Sequence, residues 1–174
     1  MIDFIWDNLF RGSRKEKTLR QKLKGNFLFQ DLSMLQLSLL ERIVNVRSYR
    51  PGENIFRQGD VGVGMYIISS GLVNIYVEEI ESKTGEIQTT HVTQLEPGDF
   101  FGDLALVEEN GRRTASAVAH KEVTLIGFFK SDLMEIASRN SSAGVKILMR
   151  LGEVLGQRLI ETTAKITELR QAAK

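Results

Sequence analysis

The chain has 174 residues, of which 42% are apolar and 26% charged, and its formal net charge is +1. These values are ordinary for a globular protein and exclude a wholly disordered chain or a uniformly basic nucleic-acid binder. The sequence contains no cysteine, which excludes disulfides and thiolate metal sites. Because an absence of cysteine also fits a reducing compartment, we expect a cytoplasmic protein. No apolar run has the roughly 18 to 20 residues of a membrane-spanning helix, so we expect no membrane span.

Residues 1–26 are expected to form an N-terminal extension, a short helix followed by a basic segment. The apolar residues that recur there at helical spacing are Ile2, Ile5, Trp6, Leu9 and Phe10. This pattern predicts an amphipathic helix that covers the main domain or a second subunit, with membrane or partner docking as the alternative. Residues 11–24 are rich in Lys and Arg, as in a solvated linker helix or a contact with phosphates or an acidic partner.

Residues 27–141 are expected to form the main domain, in which a helical stretch precedes a series of short strands. A dense apolar pattern runs from Phe27 to Ile43, with Ser33 placed as an N-cap, and predicts helix with these side chains in the core. After Tyr49, about eight runs rich in Ile, Val, Tyr and Phe are separated by glycines. This pattern indicates an α+β, mainly β fold, an antiparallel barrel or jelly roll. Ser131 is placed to cap a further helix.

The stretch from Pro97 to Val118, PGDFFGDLALVEENGRRTASAV, has the outline of an anion site. Gly102 permits a close backbone approach, and the next residues can form one helical turn whose first N–H groups favour negative charge. Arg113 supplies a charged donor fork for a phosphate, while the Asp103 carboxylate, which only accepts, suits a sugar hydroxyl. The alternative is structural: Arg113 pairs with Glu108 or Glu109, and Asp103 caps its own helix.

Residues 142–174 are expected to form one long helix. Its apolar seam alternates steps of four and three and comprises Leu148, Gly152, Leu155, Leu159, Thr162, Ile166, Leu169 and Ala173. This is the heptad pattern of a coiled coil, which needs a partner helix. We therefore expect a homodimer formed by two parallel copies of this C-terminal helix.

The segments RPGENIFRQGD, MYIISSG and above all FGDLALVEENGRRTA resemble the cyclic nucleotide-binding domain family. The resemblance extends from about Leu28 to the C-terminus. It implies a β-jelly roll (double-stranded β-helix) flanked by helices, and a ligand that is cAMP or cGMP. The residues that it places near the cyclic phosphate are Gly102, Leu104, Ala105, Arg113, Thr114 and Ala115. It places Asp103 near the ribose 2′-hydroxyl, where the family usually has glutamate. Asp103 is shorter by roughly 1.5 Å, enough to convert a direct hydrogen bond into a water-bridged one.

The C-terminal helix carries a second resemblance, since ILMRL, QRL and TTAKI are similar to the dimerisation helix of DNA-binding activators in that family. It implies that Thr162 and Thr163 meet the purine base where two subunits join. A base contact would also explain a polar Thr162 in an apolar seam. The sequence ends where the helix-turn-helix of those activators would begin, so we expect no DNA-binding domain and an output through helices or an unknown protein partner.

Together these features predict a homodimeric cyclic nucleotide receptor, for cAMP ahead of cGMP, that moves its terminal helices on binding. The alternative is a non-enzymatic scaffold or dimerisation module that binds a different ligand or none. An enzyme is a weaker hypothesis, because His91 and His120 lack the neighbours of a nucleophile or metal site. We expect both to be structural histidines, with no catalytic residue, metal or cofactor.

Overall fold

The computed structural model describes residues 18–81 and 85–172. The expected amphipathic helix, most of the basic segment and Ala173 of the seam lie outside the described residues. The helices are α1 (Leu19–Gly25), α2 (Met34–Glu41), α3 (Lys130–Arg139) and α4 (Ser141–Ala172), with 3₁₀ helices at Phe27–Phe29 and Asp103–Leu106. The strands are β1 (Asn45–Tyr49), β2 (Asn54–Phe56), β3 (Gly64–Ser70), β4 (Val73–Ile80), β5 (Ile87–Leu95), β6 (Phe100–Phe101), β7 (Ser116–Ala119) and β8 (Val123–Phe129).

The strands form two four-stranded sheets with the orders β1-β8-β3-β6 and β2-β7-β4-β5. Every pairing between these strands is antiparallel. The predicted mainly β jelly roll is therefore confirmed. The core between the sheets consists of Tyr49, Ile68, Val73, Phe101, Ala117, Ala119, Val123 and Leu125.

A second core joins the β1-β8-β3-β6 sheet to the helices. Strand β8 contributes side chains to both cores. Val123 and Leu125 lie between the sheets, whereas Ile126 and Phe128 pack toward the helices. Because both faces of β8 are covered, its sequence is nearly all apolar rather than alternating. The helices contribute Leu23, Leu28, Phe29, Leu32, Leu37, Leu40, Leu133, Ile136, Ala143, Ile147 and Leu151.

The predicted helical stretch from Phe27 to Ile43 is interrupted. A 3₁₀ turn at Phe27–Phe29 precedes α2, which begins after Ser33. The predicted Ser33 cap is confirmed, since its Oγ accepts a 3.3 Å hydrogen bond from the amide of Gln36. Met34 and Leu35 are 61% and 85% exposed, so their predicted place in the core is wrong. A short helix turns only one face to the core, and other side chains of α2 occupy it.

The predicted capping role of Ser131 is also wrong. Helix α3 already begins at Lys130, and the Asp132 carboxylate accepts a 2.8 Å hydrogen bond from the amide of Phe129. The acidic side chain thus reaches back one turn to satisfy an amide at the helix start.

Helix α4 is long and its seam is largely uncovered in the single chain. It begins at Ser141, close to the predicted start, and its last fully buried residue is Leu151. Beyond that point Leu159, Ile166 and Leu169 are exposed on a helix that continues for six turns. None of the helices in the described ranges combines the length and apolarity that a bilayer crossing requires.

Candidate functional site

The site begins at the turn between β6 and the short 3₁₀ helix. Gly102 adopts φ +74°, the left-handed conformation that glycine enters without steric cost. A Cβ atom there would collide with Nη1 of Arg113. The predicted helical turn after Gly102 is confirmed as Asp103–Leu106. Glycine at this position therefore lets the backbone turn and lets the arginine lie against it.

Backbone hydrogen bonds hold the loop that carries Arg113 against the loop after β2. The amide of Arg113 donates to Asp60 O, and Arg113 O accepts from Gly59, both at 2.8 Å. The amide of Gly62 donates to Gly111 O at 2.9 Å. The Arg112 guanidinium adds a 2.7 Å bond to Gly59 O. These bonds hold the main chain of Arg113 in place independently of the contacts that its side chain makes.

The Arg113 guanidinium is buried, and no carboxylate among the described residues forms an ion pair with it. Its Nη1 donates to Gly102 O at 3.0 Å and its Nη2 to Gly64 O at 2.7 Å. Its Nε finds no partner among the described residues. Arg113 therefore forms no ion pair with Glu108 or Glu109, as the structural alternative would require. A buried cation with a spare donor is the arrangement that an incoming anion completes.

Burial lowers the pKa of Arg113 because desolvation disfavours the charged form. The nearby Tyr66, Asp60 and Asp103 act in the opposite direction. Arginine nevertheless stays protonated, because its pKa lies far above neutrality. The site therefore keeps a full positive charge.

Asp103 lies on the other side of the same turn and bonds to α4 rather than to its own helix. Its side chain is 3% exposed, and Oδ1 accepts a 2.6 Å hydrogen bond from Nη1 of Arg158. Its second oxygen, Oδ2, has no partner among the described residues. Asp103 thus keeps one buried acceptor available, which a ligand hydroxyl could satisfy.

A cavity of about 250 Å³ opens between these two side chains. Seven predicted site residues line it: Gly102, Asp103, Leu104, Ala105, Arg113, Thr114 and Ala115. Sequence reasoning missed further lining residues, among them Phe56, Ile75, Thr93, Leu95, Phe100 and Arg158. The lining residues that lie on strands show only the alternation common to all sheet residues, which does not mark a binding site. No sequence signal connects Arg158 with Asp103, 55 positions earlier.

Thr162 and Thr163 are not among the residues that line this cavity. Both lie on the exposed part of α4, about one turn beyond Arg158, and their hydroxyls donate to Arg158 O and Leu159 O at 2.8 Å. The structure thus unites seven of the nine predicted residues. A base contact through the two threonines across a subunit boundary stays a prediction.

The two histidines lie outside this cavity. His91 lies in β5, where its ring meets Tyr76 edge-on at 5.3 Å. His120 directly follows the end of β7, with Nδ1 3.3 Å from the Asn74 amide nitrogen. In the part of the chain that the structure describes, no group of three His, Cys, Asp or Glu side chains could hold a metal ion.

A jelly roll with a buried cation and a buried acceptor at one cavity has the architecture of a ligand-binding domain. Residues 46–140, more than half of the chain, match the cyclic nucleotide-binding domain family. The chain therefore belongs to this family.

Similar proteins include receptors and kinase subunits. The Cyclic AMP receptor protein of Thermus thermophilus is 32% identical over 117 residues, 67% of this chain and 51% of that protein. A cAMP-dependent protein kinase regulatory subunit of Candida albicans is 34% identical over 109 residues, 63% of this chain and 21% of that protein. The crystal structure of the Thermus thermophilus catabolite activator protein matches with a TM-score of 0.71 at 29% identity, covering 83% of this chain and 63% of that one. The chain thus spans about half of the first relative and a fifth of the second.

Proposed function

We propose that this protein is a receptor for a cyclic nucleotide, cAMP ahead of cGMP. The observation that carries the proposal is the buried Arg113 guanidinium, which has a spare donor and no carboxylate partner among the described residues. A cyclic nucleotide is the ligand that suits both the family and the site, because its phosphate matches Arg113 and its ribose hydroxyl matches the free acceptor of Asp103. The protein acts as a cytoplasmic homodimer on protein partners, without enzymatic turnover.

The phosphate is bound by Arg113 together with the first amides of the Asp103–Leu106 turn. The amides of Asp103 and Leu104 begin a helical turn and have no intrahelical acceptors of their own, whereas the amide of Ala105 donates to Gly102 O at 3.3 Å. Each hydrogen bond to the charged phosphate contributes about 1.5 to 3 kcal/mol. Leu104, Ala105, Thr114 and Ala115 complete the lining around the phosphate.

The ribose is bound through Asp103. Its Oδ2 is a buried acceptor without a partner among the described residues, and the 2′-hydroxyl is a donor of the kind that it lacks. Because aspartate is shorter than the usual glutamate, this bond is direct only if the sugar sits deeper in the cavity. Otherwise a water molecule bridges the two groups.

Contacts between the ligand and the long helix α4 produce the conformational response to binding. Arg158 of α4 bonds to Asp103, so a sugar that engages Asp103 acts on α4 as well. Thr162 and Thr163 follow one turn later and contact the base from one or both subunits. A ligand shifts the helix arrangement only if it binds two arrangements with different affinity, and these contacts supply that difference.

Support for cAMP comes from the names of two relatives, a Cyclic AMP receptor protein and a cAMP-dependent kinase subunit. A cGMP-dependent protein kinase of Caenorhabditis elegans is also 33% identical over 108 residues. Thr114, which is exposed at the cavity, could bond the phosphate or the guanine amino group. Parallel titrations with cAMP and cGMP therefore determine which nucleotide the protein binds more tightly.

The experiment compares Arg113→Gln with Arg47→Gln by isothermal titration calorimetry. Arg47 is a matched control, because Arg113 and Arg47 both lie over an aromatic ring, that of Phe56 at 4.1 Å and that of Tyr49 at 4.8 Å, but Arg47 does not line the cavity. The receptor proposal predicts that only Arg113→Gln abolishes nucleotide binding. Equal binding by the two variants would contradict it.

The second candidate function is a scaffold or dimerisation module with a different ligand or none. Asp103 favours it, because its carboxylate is shorter than the usual glutamate and is already bonded to Arg158. This function predicts no heat with either nucleotide and a dimer that forms regardless of nucleotide.

A further inference from the structure

The aromatic ring of Phe56 lies next to the buried Arg113 guanidinium. The guanidinium carbon lies 4.1 Å from the centre of the Phe56 ring and 6.0 Å from that of Tyr66. Its other contacts are the two carbonyl oxygens of Gly102 and Gly64. The groups in direct contact with the guanidinium are thus carbonyl dipoles and aromatic faces, whereas the carboxylates of Asp60 and Asp103 act on it only as nearby charges.

Neutral groups around a guanidinium leave its positive charge available to a ligand, whereas a carboxylate in contact with it does not. A carboxylate would cancel the charge of the guanidinium and would repel an incoming anion. An aromatic face attracts a cation through its quadrupole but adds no negative charge. Arg113 is therefore stabilised in the protein interior while its positive charge stays available.

Phe56 is itself held firmly. It ends strand β2, where it pairs with Ala117 of β7. Its ring packs against Tyr66 at 6.2 Å and Phe101 at 5.7 Å between centroids. A ring fixed on two sides presents a defined face to the guanidinium, which in turn fixes the plane of the donor fork.

We infer that Phe56 is a positioning residue for the anion-binding charge: its aromatic face holds and orients Arg113 without neutralising it. Any apolar side chain of similar size would fill the space, but only an aromatic one supplies the cation–π attraction. The ligand-binding part of this inference rests on the proposed function, whereas the contact between Phe56 and Arg113 does not.

The first test needs no ligand. A double-mutant cycle combines Phe56→Leu with Arg113→Gln, and denaturant unfolding is measured for the wild type, both single variants and the double variant. The expected result is a coupling of roughly two- to thirtyfold in the unfolding equilibrium constant, as for a buried cation–π pair. Additive effects would overturn the inference.

The second test replaces Phe56 with phenylalanines carrying one, two and three fluorines. Each fluorine draws electron density from the ring face while the side chain keeps its shape. Affinity for cAMP and resistance to denaturant should fall stepwise with each fluorine. The control is the same series at Phe129, whose ring meets Tyr66 edge-on at 6.1 Å but does not line the cavity.

The outcomes distinguish a failure of the role of Phe56 from a failure of the proposed receptor function. A flat series at Phe56, or equal slopes at Phe56 and Phe129, overturns the role of Phe56. If the wild type binds neither cAMP nor cGMP, the proposed function fails, and the ligand-free cycle still decides whether Phe56 holds Arg113.

Discussion

Arg158 of α4 donates a 2.6 Å hydrogen bond to Asp103, joining the long helix to the turn that lines the cavity. The Asp103 side chain is 3% exposed and that of Arg158 is 49% exposed. The Arg158 guanidinium also lies over the Phe100 ring at 5.5 Å. The exposed part of α4 is thus tied to the β-sandwich at a residue of the candidate site.

Arg158→Met should lower the free energy of unfolding by about 1 to 3 kcal/mol, because it leaves the buried carboxylate without a partner. Amide exchange in α4 beyond Leu151 should rise at the same time. Denaturant unfolding and hydrogen exchange measure the two effects. Arg170→Met, an exposed arginine on the same helix, is the control, and equal changes in the two variants would show that the Asp103 contact contributes nothing.

Asp103→Glu should strengthen binding of cAMP about fivefold, the effect of one direct hydrogen bond of about 1 kcal/mol. The longer side chain reaches the ribose without a bridging water. Calorimetry with cAMP and with 2′-deoxy-cAMP tests the reason as well as the effect. The gain should vanish for the deoxy ligand, and a gain of the same size for both would place the ribose elsewhere.

Gly102→Ala should weaken nucleotide binding about tenfold to a hundredfold, since the new Cβ displaces Nη1 of Arg113 and disturbs a charged bond of about 1.5 to 3 kcal/mol. Gly52→Ala is the matched control. Gly52 has φ +79° against +74° for Gly102, but its Cβ would meet nothing within 4 Å. Both variants should lose about 1 to 2 kcal/mol of stability from the left-handed backbone. Equal affinity in the two variants would contradict the assigned contact.

Leu159→Glu should dissociate the proposed homodimer, because it places a charge in the apolar seam of α4. Ile160→Glu is the control, since Leu159 and Ile160 are neighbours with exposures of 68% and 65%, and only Leu159 lies on the seam. Sedimentation equilibrium at several concentrations compares them. A monomeric wild type, or equal dissociation of both variants, would rule out the seam as the interface.

Two kinds of signal in the sequence predicted the site: local chemistry indicated Gly102, Asp103 and Arg113, and the family resemblance added Leu104, Ala105, Thr114 and Ala115. Gly102 through Ala105 and Arg113 through Ala115 lie within fourteen consecutive positions, so one turn and one loop bring them to the same cavity. The glycine-separated apolar runs likewise indicate the strands, because turns and alternation are local signals.

The contacts that escaped prediction depend on tertiary packing. Arg158 reaches Asp103 only through the tertiary packing of α4, which no spacing in the sequence reveals. Phe56 meets Arg113 because strand β2 and the loop after Gly111 converge. Leu35 looked like a core residue since its apolarity says nothing about which face of a two-turn helix is covered.

The proposed receptor function requires that the cavity beside Arg113 bind a cyclic nucleotide. Isothermal titration of the wild-type protein with cAMP and, separately, with cGMP tests it most directly. We expect saturable heat with at least one of them, with cAMP the tighter ligand. The absence of heat with both nucleotides up to millimolar concentration would contradict it.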